Sequence, residues 1–274
     1  MNVEYIQHMG NDMTVVNAAR VSFANHSYNS APSSADISLL KYLARGSSND
    51  EWSALVNKLA STSDRTAIQK LLWAFKTHQT HFAPFTHPQL SVRITAPLAV
   101  ARQLWKSHVG VAGGDAGYAA WSEESRRYID ATPNMHMPDV WRSRASNVKQ
   151  GSGDEHVDVG GVFEHYLSCA TLYEKLLEDG VAPEQARLVL PAAAETSWIW
   201  TGSLMFFVRV CWLRLDAHAQ AETTVIANGI FELLDELWPI STEILLTGDY
   251  NGRWRCNRPI HRAMVDETGG CSPC

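Results

Sequence analysis

Long apolar runs are missing from this chain, and no segment approaches the roughly 20 consecutive apolar residues that a membrane-crossing helix needs. The N-terminus lacks the basic flank and apolar core of a secretion signal, so the expected setting is cytoplasmic, with no membrane partner. Basic charge is scarce: 23 lysines and arginines stand against 29 aspartates and glutamates. No global positive field therefore draws the protein to nucleic acid, and any anion site must be local. Cysteine is sparse and odd in number, at five, with Cys169 and Cys211 inside apolar helical patterns where buried thiols are the ordinary reading. That argues against a disulfide framework. Cys256, His261, Cys271 and Cys274 offer zinc-type donors near the end of the chain, but their spacing matches no standard finger. The expectation is free thiols and no metal.

What the chain does have is a 45% hydrophobic fraction over 274 residues, enough for a substantial core in one large domain or two small ones. Val3, Tyr5 and Gln7 alternate as in a short strand, and Asp12 reads as the cap of a helix running to about Val21. A polar loop spans 24–34. Apolar periodicity then predicts helices near 37–44, 51–59 and 67–75, the last two capped by Asp50 and Asp64. Leu90, Val92 and Ile94 alternate with Ser91, Arg93 and Thr95, the pattern of a strand with one wet face, and Pro97 suits the first turn of a helix. Glycines at 110–117 mark an insertion with neither a phosphate-loop lysine nor a dinucleotide fingerprint. Further helices are expected over 161–177, stopped by Gly180, over 203–213, and from an Asp216 cap through Leu237. Helices outnumber strands, which predicts an α+β fold.

The segment "SEESRRY", Ser122 to Tyr128, concentrates opposite charges beside a hydroxyl. A helical reading makes Glu123 and Arg127 a surface ion pair of little consequence. An extended reading puts Glu123, Ser125 and Arg127 on one side, as a polar pocket wall. Ser125 has no neighbouring base to make it a hydrolase nucleophile, and the two apolar-helix cysteines lack an electropositive setting. Cationic and amide groups are plentiful instead: Arg102, Gln103 and Lys106, then Arg126 and Arg127, then Arg187, Arg209 and Arg214. Such groups hold phosphates and stabilise developing negative charge. Arg214 closes an almost unbroken apolar run from Leu204 to Leu213, so it is either a snorkelling stem or a partly buried functional cation.

Five collinear pieces carry a resemblance: "MGNDMTVVNAARVSF" from Met9, "APFTHPQLSVRITAPLAVARQ" from Ala83, "SEESRRY" from Ser122, "ARLVLP" from Ala186 and "LRLDAHAQAE" from Leu213. Together they resemble the flavin-dependent thymidylate synthases, and "NVKQGSG" from Asn147 is similar to phage and bacterial members. The resemblance implies an α+β subunit, helix-rich, with a central mostly antiparallel sheet and flanking helices. It implies a catalytic domain over 1–240, an extension over 241–274, and a homotetramer whose active sites draw on several chains. The implied reaction moves a one-carbon unit from methylenetetrahydrofolate to C5 of dUMP, giving dTMP, with FAD as cofactor and NADPH as reductant. Alternatives are a relative that methylates or hydroxymethylates dCMP or UMP, and a non-catalytic nucleotide-binding relative.

The resemblance also implies site residues. Gln103, Lys106, Glu123, Ser125, Arg126, Arg127, Arg187 and Arg214 fall on the nucleotide side, with Arg214 and Ser125 the catalytic choices. Ser22, Ser107, His108, Val109, Ser203, Arg209 and His218 fall on the flavin side. The family's Arg-His-Arg triplet is Lys106, Ser107 and His108 here, and Ser203 and Met205 stand where the family has asparagine and arginine.

Overall fold

The alternation of Leu90, Val92 and Ile94 with Ser91, Arg93 and Thr95 becomes a central strand of an antiparallel sheet. The computed structural model describes residues 1–77, 80–108, 119–146, 151–216 and 218–250. The chain begins with β1 (Asn2–Met9) and α1 (Asp12–Arg20), followed by helices α2 (Ser34–Arg45), α3 (Asn49–Ser61) and α4 (Arg65–Thr77). Then come β2 (Gln89–Pro97), α5 (Leu98–Trp105) and β3 (Ala119–Glu123), and a hairpin of β4 (Arg142–Arg144) and β5 (Ser152–His156). Helices α6 (Val162–Glu178) and α7 (Pro183–Ala186) lead to β6 (Glu195–Ser203), and α8 (Leu204–Arg214), α9 (Ala221–Leu237) and α10 (Pro239–Thr247) follow. The fold is α+β, as expected.

The main sheet has the order β1-β2-β6-β3, with every neighbouring pair antiparallel. Period-two alternation sorts its faces. Leu90, Val92, Ile94 and Ala96 on β2, with Trp198 and Trp200 on β6, are buried against the helices. On the opposite face, partners across the strands are polar: Ser91 Oγ bonds Thr201 Oγ1 at 2.8 Å and Thr95 Oγ1 bonds Ser197 Oγ at 2.7 Å. Each such pair stabilises the register by about 0.2–1 kcal/mol. Helix α8 is apolar around most of its circumference because it runs through the core, burying Leu204 to Val208, Val210 and Cys211, as expected for an interior helix. Gly202 permits this closeness, since a Cβ there would lie 2.6 Å from the Phe206 ring.

Several local expectations are corrected. Asn11, not Asp12, caps α1 with a capping box on Thr14. Asp12 is buried and turns to another helix: its carboxylate accepts the N–H groups of Ile240 and Ser241 at 3.2 and 2.8 Å. Orphan N–H groups at the start of α10 explain that choice. Ser48 rather than Asp50 caps α3, because its hydroxyl and Glu51 form a reciprocal box. Asp64 does accept from Thr66 N–H at 2.9 Å, at the start of α4. Asp216 does not open α9. It closes a turn onto His218, and the helix begins at Ala221. Strand β6, hairpin β4–β5 and helix α10 are additional to the sequence expectation.

Candidate functional site

Helix α5 leaves β2 directly at Pro97 and lies between two clefts. The larger, about 820 Å³, takes Ala99, Val100 and Gln103 from α5, and Trp212, Leu213 and Arg214 from the end of α8. Its remaining walls include His136, Trp141, Arg142, Gly151 and Ser152, Tyr166 of α6, and residues 216 and 218–222. The volume falls in the usual range for small-molecule sites. The hairpin approaches closely at Gly151, where φ is +86° and a Cβ would meet the His218 carbonyl at 3.0 Å. Arg142 of the same hairpin pairs with Glu222 at 3.5 Å.

Arg214 is the half-buried cation that the apolar run of α8 suggests. Its Nη2 donates to the Gln103 carbonyl at 3.1 Å, tying α8 to α5 across 111 residues of sequence. Burial pushes its pKa below the ordinary arginine value, yet a guanidinium stays protonated in proteins. Arg214 Nε and Gln103 Oε1 are both buried without partners. Buried polar groups are nearly always satisfied, so a donor and an acceptor on one cleft wall point to a ligand that supplies their complements. His218, at the rim, is exposed, with its N–H and ring Nδ1 2.8 and 3.0 Å from Asp216 Oδ1. Those bonds, the backbone one first, hold the Asp216 carboxyl below the usual range.

The smaller cleft, about 270 Å³, lies past Leu98 and Arg102 of α5, and takes in Glu123, Glu124, Arg126, Arg187 and Thr196. Glu123 is fixed by Thr196 Oγ1 at 3.0 Å and by the Trp121 indole at 3.2 Å. The segment after it is neither the helix nor the extended strand that the sequence allowed. Strand β3 ends at Glu123, and Tyr128 N–H closes a turn on the Ser125 carbonyl at 3.0 Å. That turn brings Ser125 and Arg127 together, with Arg127 N–H and Nε donating to Ser125 Oγ at 3.4 and 3.3 Å. Arg126 is occupied locally, by Glu124 at 3.2 Å and the Ala131 carbonyl. Arg187 is exposed and uses Nε on the Glu184 carbonyl at 3.1 Å. Its neighbour Leu188 is 80% exposed.

The predicted nucleotide-side residues therefore divide: Gln103 and Arg214 share the larger cleft, while Glu123, Arg126 and Arg187 share the smaller one. Ser125 and Arg127 sit on the turn just beyond. Lys106, the remaining nucleotide-side residue, is exposed after α5; among the flavin-side residues, Ser107 is buried with Oγ unpartnered. His108 turns inward. The Trp200 indole donates to its Nε2 at 3.2 Å, and Nδ1 lies 2.9 Å from the Trp105 carbonyl. An indole only donates, so Nε2 accepts and Nδ1 carries the proton. Rings of Trp105, Trp121, Trp200 and Phe206 surround it. Ser203 is fully buried and caps α8 through Phe206 N–H at 3.1 Å. Ser22 is exposed on a short 3-10 turn after α1, and Arg209 lies partly buried on α8. Val109 and the group Cys256, His261, Cys271 and Cys274 lie outside the described residues.

His136, Trp141 and Arg142 are cleft residues that the sequence reading missed. "MHMPDVWR" has no periodicity to flag them; two prolines at 133 and 138 were the available sign of a fixed, irregular segment.

The family model described as "Thymidylate synthase complementing protein" matches residues 4–240. A flavin-dependent thymidylate synthase of Thermosipho africanus is 30% identical over 63% of this chain and 74% of its own. One from Pseudothermotoga lettingae is 24% identical over 91% of this chain and 92% of its own. Among solved structures, a UMP/dUMP methylase PolB from Streptomyces cacaoi bound with 5-Br dUMP superposes with a TM-score of 0.65. It shares 22% identity, with 88% of this chain and 93% of that chain covered.

Proposed function

Because the chain belongs to the thymidylate synthase complementing protein family, we propose that it transfers a one-carbon unit to C5 of a pyrimidine nucleoside monophosphate, dUMP giving dTMP. The observation that carries this reading is the wall of the larger cleft, where Gln103 Oε1 and Arg214 Nε are buried without partners. A uracil ring presents an imide N–H between two carbonyls, which complements an amide oxygen and a guanidinium N–H. As C5 turns nucleophilic, negative charge gathers on a ring carbonyl. A fixed cation beside that oxygen lowers the barrier without having to reorganise. Ser125 and Arg127, joined on their turn, with Arg187 and Lys106, suit the phosphate end.

FAD is the proposed cofactor, methylenetetrahydrofolate the carbon donor and NADPH the reductant. The unpartnered Ser107 Oγ would suit an FAD phosphate as a hydroxyl donor. His218 and Ser22 add exposed polar groups. His108 and Ser203 use their polar atoms inside the chain, so we assign them to shaping the site. A bound flavin supplies the hydride that reduces the transferred carbon. In one subunit the nucleotide-side groups occupy separate clefts, and Leu188 and Phe163 are 80% and 67% exposed. A homotetramer in which subunits complete one another's sites accounts for both facts.

The test is direct. Purified protein is expected to be yellow, to release FAD on denaturation, and to add one methyl group to dUMP with methylenetetrahydrofolate and NADPH, read by product mass. UMP is the second acceptor to include, since the Streptomyces cacaoi protein of this fold is named a UMP/dUMP methylase; dCMP is the third. A colourless protein that takes up no added FAD and converts none of the three refutes the proposal.

A further inference from the structure

The larger cleft contains a proton-transfer group that the reading above leaves unused. His136 lines it together with Gln103 and Arg214, on a segment clamped to the start of β6. Its N–H donates to the Ala193 carbonyl at 2.9 Å, Glu195 N–H donates to the Asn134 carbonyl at 2.8 Å, and Met135 bridges Ala194. The backbone is thus fixed, and the ring's freedom is reduced to its own torsions. Nε2 of that ring is buried with no partner. Leaving such an atom unsatisfied costs about 1–3 kcal/mol, so it is an atom that a polar ligand in the cleft would complement.

The other ionisable groups around the cleft have partners. Arg142 pairs with Glu222 at 3.5 Å, His218 with Asp216 at 3.0 Å, and Arg214 with the Gln103 carbonyl at 3.1 Å. Tyr166 offers a phenol, which gives a proton more readily than it takes one. Among the described residues lining the cleft, this imidazole nitrogen without a partner is the group with a lone pair free to accept a proton. Histidine χ2 is a soft torsion, so the ring can turn toward a ligand while the backbone stays clamped.

We propose that His136 is the general base that removes the C5 hydrogen of the bound pyrimidine. This rests on the methyl-transfer reading, which supplies the one-carbon donor and the reduced flavin. Substitution at C5 forms a carbon–carbon bond to the donor's methylene, whose carbon–nitrogen bonds to the folate are given up with their electron pairs to nitrogen as the flavin's hydride completes the methyl group, and it must break the C5–H bond. The electron pair of that bond stays with the ring, and the proton passes to Nε2. The imidazolium so formed returns the proton to solvent before the next turnover.

The experiment uses the FAD-loaded enzyme with dUMP, methylenetetrahydrofolate and NADPH, comparing wild type with His136→Gln and His136→Gly. Loss of a general base is expected to lower kcat about 100-fold or more, with KM for dUMP changed by less than about threefold. The melting temperature should stay near wild type, and free imidazole should restore part of the rate of His136→Gly. A structural role would not produce that rescue. Retention of more than about a third of kcat in His136→Gln, an effect confined to KM, or a folded glycine variant indifferent to imidazole overturns the assignment. If the glycine variant does not fold, His136→Phe replaces it, and a kcat within about threefold of wild type overturns the proposal. A wild-type protein that methylates nothing defeats the underlying function instead, and this assignment with it.

Discussion

Replacing Arg214 by lysine separates the electrostatic role of its fork from its place in the fold. The guanidinium spends Nη2 on the Gln103 carbonyl at 3.1 Å and keeps Nε buried and unpaired in the cleft wall. Lysine keeps the charge but is a single point on a flexible stem, so it cannot serve the carbonyl and a ligand together. Removing one preorganised donor from a developing oxyanion costs about 2.7–4 kcal/mol, or roughly 100- to 1,000-fold in kcat. The structural loss is smaller. One charge-assisted bond is worth about 1.5–3 kcal/mol when fully shielded, and partial exposure of this side chain together with lysine's remaining donors reduces it to about 1 kcal/mol. That corresponds to a melting shift of about 2–4 °C. Initial rates of dTMP formation at saturating dUMP, alongside thermal melts of the same preparations, measure both quantities. Full turnover in Arg214→Lys would refute the assignment of this residue to the ring, and a collapse in melting temperature with unchanged kcat would reverse the reasoning altogether.

Three further substitutions and one labelling probe the scaffold. Asp12→Ala leaves the Ile240 and Ser241 N–H groups of α10 without their acceptor, and should destabilise the protein by about 0.5–2 kcal/mol in chemical denaturation. Burial raises the Asp12 carboxyl above its usual range, against the bonds from Ser241 and Ile240 that pull it down. A raised native value means that the native state holds this proton more tightly than the unfolded chain, a stabilisation distinct from the acceptor role, complete below about pH 3.9 and lost as pH rises through the native pKa; Asp12→Asn should flatten that part of the stability–pH curve, and an unchanged curve would contradict it. Gly202→Ala drives a Cβ to 2.6 Å from Phe206 and 3.2 Å from Phe207, and should cost about 1–3 kcal/mol by overpacking; a wild-type melt would show that the rings yield. Burial pushes the Cys211 thiol up to about 12, so peptide mapping after native alkylation at pH 8 should find Cys169 modified and Cys211 intact, with modification of Cys211 counting against its burial.

The parts of the fold legible in the sequence are those whose period survives without distant help. Strand β2 alternates cleanly because one of its faces is polar, and α6 and α9 repeat at helical spacing. Strand β6 hides because Ile199 stands between Trp198 and Trp200, so its alternation merges with the apolar run of α8 into one ambiguous segment. Hairpin β4–β5 is almost wholly polar and carries no core-facing alternation at all. Helix caps are missed where two candidates adjoin: Asn11 and Asp12 are equally good in isolation, and a helix end more than 200 residues away decides between them. The site divides in the same way. Residue chemistry singled out Arg214 and Gln103, and the resemblance gave them roles, but their meeting depends on a contact across 111 positions. His136 is positioned by the start of β6, which local sequence cannot reveal.

The position of α5 turns the two-cleft arrangement into a test of assembly. Gln103 and Arg102 are consecutive on this helix, yet one lines the larger cleft and the other the smaller, as a rotation of about 100° per residue requires. The helix body therefore lies between Arg214 on one side and Arg187 on the other. We propose that a single nucleotide contacting both arginines takes them from different subunits, an arrangement that closed symmetric oligomers permit. Two inactive variants, Arg187→Ala and Arg214→Lys, are then expected to complement when mixed and reassembled. Random exchange at equal concentrations leaves both arginines intact in about a quarter of the sites if they come from different subunits, and in none if they come from one. Recovery of about a quarter of the wild-type rate, seen only after subunit exchange, supports sharing. A mixture that stays inactive although mass spectrometry shows hybrid oligomers would mean that the two arginines serve one subunit's chemistry by a route around α5, and the divided reading of the site would fall.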